Sequence, residues 1–105
     1  MSNKLVLLTI TFPNEAAAKT MAQQLVERRL VACAQLLPIQ SIYRWEGAVQ
    51  QENEVMLQAK TLSSKLTDIE AFVSENHGYD VPEMVATEVV WGHQPYLDWV
   101  SDIVK

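Results

Sequence analysis

One cysteine, three glycines and eight Lys or Arg residues in a chain of 105 are small holdings, and each shortage excludes something. A lone Cys33 cannot close an internal disulfide, and secreted domains of this size commonly carry several. The expected location is therefore a reducing cytoplasm. With three glycines in all, neither a phosphate loop nor a GxGxxG cradle can be built, and GxSxG, HExxH and CxxC are missing as well. The expectation is that the chain is not an enzyme. The basic residues are scattered, Arg28-Arg29 is the only adjacent pair, and 13 acidic residues bring the net charge to -5. Nucleic-acid binding needs a basic face, and an anionic membrane selects for one too, so neither partner is expected. No apolar run is long enough to span a bilayer. The stretch LVLLTITF, interrupted by two threonines, reads as a strand and not as a signal peptide.

What is present is hydrophobic residue, 49% of the chain, enough for one core in a single domain over residues 1–105. KLVLLTITF, residues 4–12, reads as a buried strand stopped by Pro13. Asn14 is placed to cap a helix over residues 15–29, where Ala18, Met21, Ala22, Leu25 and Val26 recur at helical spacing. LVACAQLL and PIQSIYRW form one extended stretch with Pro38 as its bend, a turn at Gly47 follows, and EVMLQAKT runs back. A second helix begins near Ser63 or Ser64 and ends near His77-Gly78. MVATEVVW, residues 84–91, is the fourth strand, and YLDWVSDIV a short last helix sealed to the core by Tyr96 and Trp99. The order predicts an α+β, ferredoxin-like βαββαβ sandwich with helices on one face, a long hairpin and a short C-terminal helix.

One length does not fit a lone globule. Residues 30–46 fully extended reach roughly 55 Å, whereas a compact domain of this size is roughly 33 Å across. The stretch must bend or project. Beyond Pro38 the hairpin carries Ile39, Ile42, Tyr43, Trp45, Val55, Met56 and Leu57, spread over both faces by the period of two. A ribbon apolar on both faces needs a partner, and for Trp45 that partner is expected to be another copy of this chain.

The segments ACAQLLP, SIYRWEGAVQQENEV, LQAKT, HGYDVPEM and PYLDW, in this order, resemble the CutA divalent-cation-tolerance family over essentially the whole chain. The resemblance implies a small cytoplasmic ferredoxin-like protein forming a homotrimer through hairpins that pair across subunits. In plan this is similar to the PII signalling proteins. It also implies a role in copper and other divalent-metal tolerance; with few soft or imidazole ligands per chain, any copper(II) binding is expected to be weak, and at this length no cofactor is required for folding. Some bacterial members have cysteine where this chain has Ile10, and a histidine pair where it has Asn76-His77. Many have proline at the position of Glu88.

The remaining chemistry is sparse. Imidazole suits divalent copper, which makes His77 the candidate metal ligand. A histidine beside a loop glycine is otherwise an ordinary surface residue, and that reading holds for His93. The same strand face carries Glu54, Met56, Gln58 and Lys60, by default a solvated face. On the resemblance, Trp45, Lys60, Tyr79 and Glu83 would instead line a cleft between subunits, where a lysine, a carboxylate and aromatic walls hold a small anion or metabolite. That is the alternative function: a PII-like small-molecule sensor or interaction module. Cys33, inside apolar VACAQ, reads as a small buried hydrophobe.

Overall fold

The computed structural model describes residues 3–104. The elements are β1 (Leu5–Phe12), α1 (Glu15–Glu27), β2 (Cys33–Trp45), β3 (Ala48–Leu62), a 3-10 turn (Ser63–Lys65), α2 (Leu66–Asn76), β4 (Met84–Glu88) and α3 (Gln94–Ile103). All pairings are antiparallel, in the sheet order β2-β3-β1-β4. This is the ferredoxin-like arrangement expected. Leu8, Ile10 and Phe12 of β1 and Leu57 and Ala59 of β3 face α1 and α2, meeting Ala18, Met21, Leu25, Ile69 and Val73 in one buried cluster. The expectation of helices on one face holds for α1 and α2 only. On the opposite face α3 buries Val100 and Val104 against Ala32 and Leu62, beside Leu5.

Local chemistry sets the boundaries. Asn14 Oδ1 accepts the Ala17 amide at 2.8 Å, the N-cap bond that satisfies an otherwise unpaired donor of the first turn. At the other end Leu30 N–H bonds Leu25 C=O and Arg29 N–H bonds Val26 C=O. That is a Schellman closure, with Arg29 in the left-handed region at φ 57° where glycine is usual. The hairpin closes at the Trp45–Ala48 pair. Between them Glu46 and Gly47 both have positive φ, 51° and 79°, the signature of a two-residue type I′ turn whose twist matches its strands.

Two expectations about the strands are corrected. Pro38 does not break β2: the β2–β3 register runs through it from Cys33↔Lys60 to Trp45↔Ala48, with Pro38 opposite Val55. The reason lies in hydrogen-bond parity. Ser63 N–H bonds Lys4 C=O and Val89 N–H bonds Leu5 C=O, so even residues of β1 bond β3 and odd ones bond β4. Carried across the register, odd residues of β2 bond β3 and even ones point to the free edge. Pro38 therefore lacks its N–H where the ladder needs none. Of the two outcomes expected, projection is the one seen, and the described residues measure 44 × 25 × 25 Å.

The fourth strand is shorter than MVATEVVW suggests. It stops at Glu88, opposite Val6, because β1 starts at Leu5 and offers residues 90 and 91 no further rung. Val90 and Trp91 are left 97% and 80% exposed.

Candidate functional site

The candidate residues lie along the face of the sheet opposite α1 and α2. Register puts Cys33, Gln35, Leu37, Ile39, Ser41, Tyr43 and Trp45 of β2 there, beside Glu52, Glu54, Met56, Gln58 and Lys60 of β3. Lys60, at the root, donates from Nζ to Gln35 Oε1 at 2.8 Å. Its direct cross-strand neighbours are Cys33 and Leu7. Trp45, 54% exposed, is at the tip. Twelve strand steps separate Lys60 from Ala48, the partner of Trp45, which is roughly 40 Å at about 3.3 Å per residue. One chain therefore does not bring Trp45 and Lys60 together. Glu83 is exposed in the segment before β4.

At the end of β1, where the ribbon leaves the sheet, a compact cluster links this face to the core. The Tyr79 hydroxyl donates to Glu54 Oε2 at 2.8 Å, tying the α2–β4 loop to the base of the ribbon. His77 stacks on Phe12 with ring centroids 4.5 Å apart and lies 4.9 Å from the Tyr79 ring. Its Nε2 is 2.7 Å from Thr11 C=O, and its Nδ1 is 3.0 Å from the Tyr79 backbone nitrogen. Both ring nitrogens are thus engaged by main chain. Ile10 is fully buried in the core, and the Asn76 amide donates to Phe72 C=O at 2.8 Å. Among the described residues no group of three or more His, Cys, Asp or Glu side chains is disposed to hold a metal ion. Within one chain, the described side chains around His77 do not assemble the three or more ligands that a divalent cation takes.

Two residues sit differently from their sequence reading. Cys33 is only partly buried, its Sγ 3.3 Å from the Tyr96 hydroxyl. Tyr96 does tie α3 to β2 by that contact, but Trp99 remains 42% exposed, tilted over the Tyr96 ring at 5.7 Å. The partners that sequence reasoning missed are Glu54 for Tyr79, Gln35 for Lys60 and Tyr96 for Cys33. Only the second had a signal, since Gln35 and Lys60 share a face once the hairpin register is set from Gly47.

All three tyrosines hold their protons more tightly than a free phenol. Burial and then the Glu54 hydrogen bond push Tyr79 up strongly. The bond with Cys33, followed by burial, pushes Tyr96 up to about 12. Partial desolvation and then the Glu52 carboxylate raise Tyr43. Folded-state values above the unfolded value mean that their stabilising contribution is complete below about pH 10 and is lost as pH climbs toward the folded values. Tyrosinate absorbance in an alkaline titration of the folded protein is expected to show the Tyr79 and Tyr96 steps well above pH 10. A full three-tyrosine transition there would contradict the Glu54 and Cys33 contacts.

The CutA1 divalent ion tolerance protein family matches residues 6–103. The chain is 42% identical over 105 residues to a protein CutA homolog of Xenopus laevis, covering 99% of this chain and 70% of the relative. It is also 42% identical to protein CutA of Mus musculus, covering 91% of this chain and 55% of that one, so it spans only about half of the mouse protein. The solved structure of the divalent cation tolerance protein from Thermus thermophilus superposes with a TM-score of 0.93 at 38% identity, covering 96% of this chain and 99% of that chain.

Proposed function

The chain belongs to the CutA1 divalent ion tolerance protein family, and from that premise we propose that it acts in divalent-cation tolerance as a cytoplasmic homotrimer without catalytic chemistry of its own. The observation that carries the reading is the projecting ribbon. Ala48–Glu54 pair with β2 alone, because β1 reaches only as far as Val55, and a two-stranded ribbon is marginal in water by itself. Ile42, Trp45 and Val49 are exposed on it, as are Val90 and Trp91 beyond the end of β4. Apolar surface of this kind marks an interface. A ribbon that docks on a different surface of its neighbour makes a heterologous contact, which gives a ring where the rotation between copies closes and a filament where it does not. Light scattering across a size-exclusion peak is expected to give about 36 kDa, three times the 11.9 kDa chain. A monomer at micromolar concentration would overturn the assembly. Growth of a strain lacking the protein in graded copper(II), with and without the chain restored, tests the tolerance role, which fails if the two strains grow alike.

The separation of Trp45 from Lys60 along one hairpin favours a second reading of the same assembly. A pocket using Trp45, Lys60, Tyr79 and Glu83 forms only where the tip of one copy meets the root of another, so its ligand is a small anion or metabolite held between subunits. Copper(II), taken at His77 in the sequence reading, has no ready place within one chain. A thermal-shift panel of small anions on wild type and Lys60→Ala tests this reading, since a ligand that prefers the folded trimer raises its melting temperature. No stabilising compound, or the same shift in both proteins, counts against it.

A further inference from the structure

The geometry points to His77 as a positioning residue fixed in one neutral tautomer, which sets the α2–β4 loop against the base of the ribbon and takes no metal. The tautomer follows from its two partners, whose roles do not vary. The Tyr79 backbone N–H can only donate, so Nδ1 must be the unprotonated acceptor. The Thr11 carbonyl can only accept, so Nε2 must carry the hydrogen. A cation at either nitrogen would have to displace one of these bonds.

Stacking on Phe12 and contact with the Tyr79 ring hold the imidazole plane from its sides, so the ring cannot swing out without leaving buried aromatic surface. The consequence runs outward. Thr11 lies near the end of β1, where the ribbon departs from the sheet. By fixing the Tyr79 backbone relative to Thr11, His77 places the Tyr79 hydroxyl on Glu54 at the base of the projecting strands. A residue that would be a copper ligand by chemistry alone is used here as a joint between the loop and the hairpin. This inference does not rest on the trimer: every contact it uses lies within one chain.

Long-range nitrogen–proton correlation spectra of the labelled wild-type protein, with and without one equivalent of Zn(II) per chain, test it directly. The expected result is a protonated Nε2 and an unprotonated Nδ1, both unmoved by Zn(II). The opposite tautomer, or a coordination shift of either nitrogen, overturns the inference. In His77→Ala, amide exchange at Tyr79 is expected to accelerate about tenfold on loss of its acceptor, while the Zn(II) isotherm stays superimposable on wild type. Unchanged exchange, or a weakened isotherm, also overturns it. Tyr79→Phe, which keeps the backbone amide, is expected to leave the His77 ring signature as in wild type, and a lost signature contradicts the assignment. Should the alanine variant fail to fold, the wild-type spectra decide alone.

Discussion

Trp45→Ala is expected to loosen the assembly while sparing the fold of the subunit. In a single chain Trp45 is more than half exposed, and surface substitutions usually stay within about 0.5 kcal/mol. In a trimer that buries the tip, the same truncation costs about 3–5 kcal/mol at each of three equivalent sites. The two situations therefore separate widely. The melting temperature of the variant is expected to fall with dilution more steeply than that of wild type, and species smaller than the trimer are expected in sedimentation at micromolar concentration. Superimposable melting curves at every concentration would mean that the tip tryptophan anchors nothing, and the role left to it would be stacking on a ligand.

Leu57→Ala is expected to strike the subunit itself. Leu57 is fully buried at the centre of the sheet, with Ile10 opposite it on β1 and Leu36 on β2. Removing its side chain leaves a cavity beneath α1 and α2 that the strands cannot close without breaking register, and such deletions cost about 2–5 kcal/mol. For a domain near this size each kcal/mol lowers the melting temperature by about 4–8 °C. Unlike the tip variant, this one is expected to lose the same stability throughout a dilution series. Urea unfolding measures it: a midpoint lowered without a change in slope. A loss below about 1 kcal/mol would show that Leu57 is not the keystone its burial suggests.

The order of elements was legible because periodicity reports which face a residue occupies. Asn14 as a cap, the turn at Gly47 and the two-faced hairpin all rest on neighbours close in the chain. Failures came where a distant partner decides. MVATEVVW has strand composition throughout, yet it pairs only as far as β1 supplies rungs. Pro38 reads locally as an interruption because proline removes a donor, but the direction in which that donor would have pointed depends on parity passed across β3 and β1. Trp99 was assigned to the core from helical spacing, but at the end of a sheet Val100 and Val104 already fill the contact. For His77, imidazole chemistry names a possible metal ligand, whereas the contact made within one chain, to Thr11 66 residues earlier, has no local signal. Sequence names the group, and only the fold names what it touches.

The position of Pro38 also bears on how the molecule behaves in crowded solution. A foreign strand adding to the outer edge of β2 would find outward donors on Leu36 and Gln40 but none on Pro38 between them. Fibril growth by stacking needs every rung in succession. An edge interrupted near its midpoint favours short pairing on the tip side or the root side over a continuous seam across both, so Pro38 works against unregulated strand addition along β2 before the ribbon finds its own partner.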